Sequence, residues 1–302
     1  MRRWIFHRLF NVELRYNKRM SDKLTANTRD KNLIFTPSHI ANFICKVLGI
    51  KESDKVIDPN CGYGLFLKSA KNYTDNVFGI ELVEDVYKVA KEEFGDSVMN
   101  GDFFDCENLI REKKPTIALM NPPFNSNGDK TNGFVFVEKM LDWMESGYVC
   151  AILPMSCAIG NVKEISKIKN SILTKHTLDA VFTLPADLFH PNANVCTCCM
   201  IFKVGIPNNT ETFFGYFKDD GFVKKKNLGR VQKEDWNSIE EEWLHLYHDR
   251  SNVNGKSVTK LVNGDDEWLC EAYMETDYSK LTRKDFEKTV RNYLAFLIQI
   301  GE

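Results

Sequence analysis

Asn121-Pro122-Pro123-Phe124 puts an amide, two rigid residues and an aromatic ring side by side. Two successive prolines remove two backbone N–H donors and stiffen the chain. What remains is a set of acceptors, the Asn121 amide oxygen and bare carbonyls, beside the flat apolar face of Phe124. Such a set suits a planar base carrying an exocyclic NH2. Hydrogen bonds accepted from that NH2 hold it while its lone pair attacks a methyl-cation equivalent. The proton can leave afterwards, so no strong general base is required.

A second constellation would hold the methyl donor. Asp58-Pro59-Asn60-Cys61-Gly62-Tyr63-Gly64 is a glycine-bearing turn in which Gly62 and Gly64 allow close backbone approach to a ligand. Glu81 follows about 20 residues on, the spacing at which an acid accepts from ribose hydroxyls. The third glycine of the dinucleotide fingerprint is absent, because Leu67 stands there. A nucleoside without a pyrophosphate, such as S-adenosylmethionine, therefore suits the turn better than NAD. Asp102 is placed to accept from an adenine amino group, or else to cap a helix.

These residues need elements to position them. Apolar runs and amphipathic segments alternate from residue 31 to about 205. KVIDP, NVFGIEL, SVMNGDFFD, PTIALMNPPF, GYVCAILP, TLDAVFTLP and CTCCMIFKV read as seven strands, with helices between most of them. This pattern predicts an α/β fold with a doubly wound, mostly parallel seven-stranded sheet. Asp58, Gly62, Gly64, Glu81, Asp102 and Asn121 all fall where a strand hands over to a loop. Ligands of such sheets bind there, beyond the carboxyl ends of the strands.

The DPNCGYG turn and NPPF together resemble the DNA methyltransferases that make N6-methyladenine. Phe35-Thr36-Pro37 and LPADLFHPNANVCTCCMIF at 184–202 narrow the resemblance to methylation subunits of type I restriction-modification systems. The resemblance covers residues 31–205, with the motifs in the family's order. It implies a class I, Rossmann-like, S-adenosylmethionine-dependent fold. It also implies roles. Thr36 contacts the methionine end of the cofactor, Asp58, Pro59, Gly62 and Gly64 line its loop, and Glu81 binds the ribose. Asp102 and Phe103 hold the cofactor's adenine. Asn121, Pro122 and Pro123 form the acceptor loop for the target N6, and Phe124 stacks on the flipped base. Phe189 is a further candidate wall, or else core. Two other readings stay open: methylation of a different planar NH2 group, in a protein glutamine or an RNA base, and a non-catalytic module that keeps the fold.

Composition bounds these readings. The chain has 302 residues, 43% hydrophobic and 27% charged, with a formal net charge of −2. Disordered, collagen-like and multi-span membrane chains are excluded. Bulk charge does not drive nucleic-acid binding here. The expected partners are adenine-containing duplex DNA and a separate specificity subunit, with no membrane. Nine scattered cysteines fit a reducing, cytoplasmic setting, and Cys196-x-x-Cys199 reads as buried strand rather than metal site. Residues 1–30 read as a basic helical leader, 31–205 as the catalytic domain, and 206–302 as an α+β appendage for partner or DNA contact. In the appendage, Lys224, Lys225, Lys226 and Arg230 form one basic cluster. RKDFEKTVRNYLAFLIQI is an amphipathic helix with Phe286, Val290, Tyr293, Leu294 and Leu297 on one face. His245 and His248 lack a third ligand and read as structural.

Overall fold

The computed structural model describes residues 34–124, 131, 133–160, 163–190, 193, 195–225, 229–275 and 282–300. The leader and Lys226 lie outside the described residues. Strands β1 (Val56–Asp58), β2 (Val77–Glu81), β3 (Val98–Asn100), β4 (Ile117–Met120), β5 (Tyr148–Pro154) and β6 (Thr177–Thr183) run parallel. β7 (Thr197–Lys203) is antiparallel to both of its neighbours, β5 and β6. The middle strands are buried on both faces, which is why they read as unbroken apolar runs such as IALM and YVCAILP.

The sheet has nine strands, not the seven predicted. β8 (Thr212–Tyr216) joins β6 in parallel and β11 (Ser257–Lys260) joins β8 antiparallel, giving the order β11-β8-β6-β7-β5-β4-β1-β2-β3. Both added strands come from the segment read as an appendage. Each is short and lies outside the alternating strand–helix pattern, so periodicity alone does not mark it. β9 (Phe222–Lys225) and β10 (Gly229–Gln232) form a separate antiparallel hairpin.

Helices α1 (Ser38–Leu48), α2 (Leu65–Ala70) and α3 (Glu84–Phe94) cover one face of the sheet. Helix α4 (Glu107–Lys113), α5 (Phe134–Trp143), the short α6 (Ser156–Ile159) and α7 (Lys163–Lys175) cover the other. Each face has its own core. On the first, α1 turns Ile40, Phe43, Ile44 and Val47 inward, at helical spacing. Phe43 meets Phe182, Phe217 and Trp243, the last from α8 (Trp236–His248). On the second, Phe134 and Phe202 pack on the fully buried Trp268. Cys198 and Cys199, adjacent on β7, enter opposite cores, as strand alternation requires. Cys196 is exposed ahead of the strand, and no group of three or more potential metal ligands occurs among the described residues. Helix α9 (Arg283–Ile300) carries Phe286, Val290 and Tyr293 exposed; the side chains of Leu294 and Leu297 lie outside the described set. Among the described residues no helix is long and apolar enough to cross a membrane.

The helices change face between β1 and β4. Crossovers leaving β1 and β2 pack on one side, and those leaving β3 and β4 on the other. That reversal opens a crevice at the carboxyl ends of β1 and β4.

Candidate active site

A cavity of about 380 Å3 fills that crevice, within the range of small-molecule sites. It draws on four strand ends. Asp58, Pro59 and Gly62 come from the turn after β1, Glu81 from β2, Asp102 and Phe103 from the loop after β3, and Asn121, Pro122, Pro123 and Phe124 from the loop after β4. Thr36 joins from the segment before α1.

Two singled-out residues, Gly64 and Phe189, do not line the cavity. Gly64 has φ +79°, and a Cβ there would lie 2.3 Å from the Phe94 ring of α3. It serves the turn and the packing of α3, not the ligand surface. Phe189 is also set back. It is buried and meets Phe124 edge-on at 6.4 Å, so it supports the pocket wall from behind.

Asn121 is the best-determined group. Its Nδ2 donates to the Ile34 carbonyl at 3.0 Å and to Thr36 Oγ1 at 3.2 Å. A carbonyl can only accept, so the amide orientation is fixed. The amide oxygen Oδ1 is thereby left buried with no partner. A buried acceptor without a donor costs about 1–3 kcal/mol. The loop that carries it is closely backed. Gly133 has φ +85°, and a Cβ there would come within 3.0 Å of the Pro123 carbonyl oxygen.

The other end of the cavity is acidic. Glu81 accepts from the Gly62 N–H at 2.9 Å through Oε2 and from the Val83 N–H at 2.7 Å through Oε1. Each oxygen keeps a second lone pair for a further donor. Among the described residues Asp58 accepts only from the Asn60 N–H, at 3.1 Å. Burial, with the nearby Glu81 charge adding to it, pushes its carboxyl up to about 8 against that one hydrogen bond. Burial likewise raises Glu81, opposed by its backbone donors. Asp102 is exposed and accepts from the Phe104 N–H at 2.9 Å, capping a short 3-10 turn. Of the two readings of Asp102, the cap is therefore present, and the residue also lines the cavity.

Sequence reasoning missed four neighbours. Asn60 Oδ1 is a second buried acceptor without a partner. Leu82 and Phe104 are 64% and 44% exposed at the cavity edge. Tyr63 stacks on Phe35 at 4.6 Å, tying the glycine turn to the segment before α1. The exposed apolar pair flanks Glu81 and Phe103 in the chain, a signal available from the strand-end positions alone.

The lining has three acids and, among the described residues, no lysine or arginine. A pyrophosphate would meet carboxylates instead of cations. A cationic nucleoside meets Asp58, Glu81 and the unpaired Asn60 amide oxygen, so the lining fits S-adenosylmethionine. Arg230, read as part of a basic patch, instead forms a bidentate pair with the buried Asp220, at 2.7 Å for both bonds.

Known proteins resemble the chain in sequence and in fold. The N-6 DNA methylase family model matches residues 16–296. The type II restriction enzyme and methyltransferase RM.BcgI of Heyndrickxia coagulans is 32% identical over 299 residues, covering 87% of this chain and 46% of that protein. The type II methyltransferase M.CvrRI of Paramecium bursaria Chlorella virus XZ-6E is 24% identical over 111 residues, covering 36% of this chain and 28% of that protein. The chain thus spans less than half the length of these relatives. Among solved structures, a modification subunit of a putative type I restriction enzyme from Vibrio vulnificus YJ016 superposes with TM-score 0.65 at 17% identity, covering 84% of this chain and 60% of that one. A type I restriction-modification methyltransferase subunit from Streptococcus thermophilus gives TM-score 0.65 at 20% identity, covering 80% and 59%. The fold is that of the class I, Rossmann-like methyltransferases. By the match along most of its length, the chain belongs to the N-6 DNA methylase family.

Proposed function

We propose that this chain transfers a methyl group from S-adenosylmethionine to N6 of an adenine flipped out of duplex DNA, within a cytoplasmic restriction-modification or related system. The observation that carries the reading is Asn121 Oδ1: buried, fixed in orientation and without a donor. An adenine N6 amino group supplies that donor. Its second hydrogen goes to the main-chain carbonyl of Pro122, and Phe124 offers an apolar face to the ring. These contacts hold the lone pair of N6 directed at the methyl group.

The cofactor, when bound, supplies an electrophilic methyl group on a cationic sulfur. The chain's own residues orient it. Asp58 and the Asn60 oxygen face its cationic amino-acid end with Thr36, Glu81 accepts from the ribose, and Leu82, Phe103 and Phe104 enclose its adenine beside Asp102. No base is needed in the transfer. N6 gives up a proton to solvent after the new N–C bond has formed, and Asn121 Oδ1 accepts hydrogen bonds throughout.

In this reading, residues 31–205 carry catalysis. Residues 206–302 extend the sheet and meet DNA or a partner. Sequence recognition is supplied by a separate specificity subunit, because the cavity reads one base and not its neighbours. The nine free cysteines support a reducing compartment.

The test is methyl transfer from labelled S-adenosylmethionine to unmethylated duplex DNA, single-stranded RNA and protein, with the product digested and the modified residue identified. N6-methyladenine in the DNA is the expected product. Label in protein glutamine or in RNA alone overturns the reading.

A further inference from the structure

The β9–β10 hairpin pairs with no strand of the main sheet. A lone two-stranded hairpin is marginal in water, so something else holds it. Its base is a buried ion network. Arg230 of β10 grips both oxygens of Asp220 and reaches Asp187 at 3.0 Å. His39 Nε2 lies 2.9 Å from the same Asp220, and its ring stacks on Phe222 of β9 at 4.4 Å.

Neither anchor lines the cavity, but each lies close in the chain to a residue that shapes it. His39 follows Thr36 by three residues on the segment that fixes Asn121. Asp187 precedes by two residues Phe189, which backs Phe124. The network therefore ties the hairpin to the two segments that carry Thr36 and Phe189.

Beyond the anchor, Val223, Lys224 and Lys225 are exposed. Lys224 sits opposite Arg230 and Lys225 opposite Gly229, so the two lysines leave opposite faces of the ribbon. Neither side chain makes a hydrogen bond or ion pair among the described residues. Lysines elsewhere, such as Lys46, Lys68 and Lys175, rest on carboxylates.

The cavity itself repels a polyanion, since among the described residues its lining holds acids and no lysine or arginine. Attraction for DNA must come from outside it. We infer that the β9–β10 hairpin is a DNA-backbone arm: Lys224 and Lys225 take phosphates flanking the flipped adenine, and the Arg230–Asp220–His39 network ties the arm to the segments that carry Thr36 and Phe189. This inference rests on the DNA-methyltransferase reading. Arg230 is a positioning residue, neutralised by its own acids and unavailable to phosphate.

The test is duplex binding by the full chain across a salt series, with the Lys224→Ala/Lys225→Ala variant beside wild type. The control is Lys51→Ala/Lys55→Ala, at the opposite end of β1. Loss of two phosphate contacts lowers the slope of log K against log salt by about 1.8 and weakens binding about tenfold at low salt. The loss is equal across duplex sequences, while cofactor affinity and melting temperature stay at wild type. A slope unchanged in the hairpin variant, an equal loss in the control, or a loss seen with RNA but not duplex DNA overturns the arm. If the hairpin variant binds as wild type and wild type still methylates DNA, only the arm fails. If wild type neither binds nor methylates DNA, the functional reading fails and the arm with it.

Discussion

Two buried aspartates occupy opposite regions of one sheet. Asp58, 2% exposed, ends β1, and Asp179, 3% exposed, lies in β6. Burial disfavours both charges. Around Asp179 the protein answers it in full: Arg250 donates at 2.7 Å, Tyr247 at 2.7 Å, and Lys203 lies 2.6 Å away. Burial would raise this carboxyl, but the Arg250 charge and the Lys203 and Tyr247 bonds hold it below the ordinary carboxylate range. Around Asp58 there is one backbone N–H and a second carboxylate, and the group stays high. The difference teaches which buried polarity is architecture and which waits for a ligand. Asp179 is complete within the chain. Asp58, Asn60 and Asn121 are not, and in the proposed reading a cationic nucleoside and an NH2 group complete them.

The contrast can be broken most severely at Asp179. Asp179→Ala removes the shared partner of Arg250, Lys203 and Tyr247; the two cations are each about a third exposed and stay partly solvated, so we expect a loss of about 1–3 kcal/mol, read as an earlier urea midpoint. A variant within about 1 kcal/mol of wild type would show that the network adds little. Asp58→Asn should act in the opposite sense. It keeps an acceptor for the Asn60 N–H but loses the charge, so cofactor binding weakens roughly 10–100-fold by calorimetry. Its ligand-free melting temperature holds or rises at neutral pH. Equal cofactor affinity in the two proteins would remove Asp58 from the site.

The pH dependence is a smaller effect with a definite sign. Between its unfolded value near 3.8 and about 8, Asp58 holds a proton in the native state that the unfolded chain has lost. Rising pH through that window therefore lowers the ligand-free stability. Asp220 behaves oppositely. Burial opposes its charge, but bonds from His39 and Arg230 bring it to about 2. Its stabilisation is present above about 4 and is lost as pH falls toward 2. Wild type minus Asp58→Asn, followed by thermal melting from pH 5 to 8, isolates the first term. A flat difference would mean that Asp58 is already ionised at pH 5.

Much of this was legible in the sequence, for physical reasons. Strand ends of an alternating α/β chain collect ligand residues, so Asp58, Glu81, Asp102 and Asn121 could be placed together before any coordinates. Strands β8 and β11 were not visible, because edge pairing is a tertiary event and TFFGY and SVTK carry no crossover helix. Gly64 looked like ligand surface because its spacing matches a nucleotide turn, and only the Phe94 ring against it reveals packing. The orphaned oxygen of Asn121 was also invisible. It depends on the Ile34 carbonyl, 87 residues away in the chain, which turns the amide.

That oxygen is the centre of the account. Single-turnover methyl transfer to duplex DNA, at saturating cofactor, should be compared between wild type and Asn121→Ala, with cofactor affinity measured on both. We predict unchanged affinity and a rate reduced about 100- to 1,000-fold, the usual effect of removing one preorganised hydrogen-bonding group. A rate within about threefold of wild type, less than 1 kcal/mol of barrier, would contradict the claim that Asn121 Oδ1 waits for the adenine amino group.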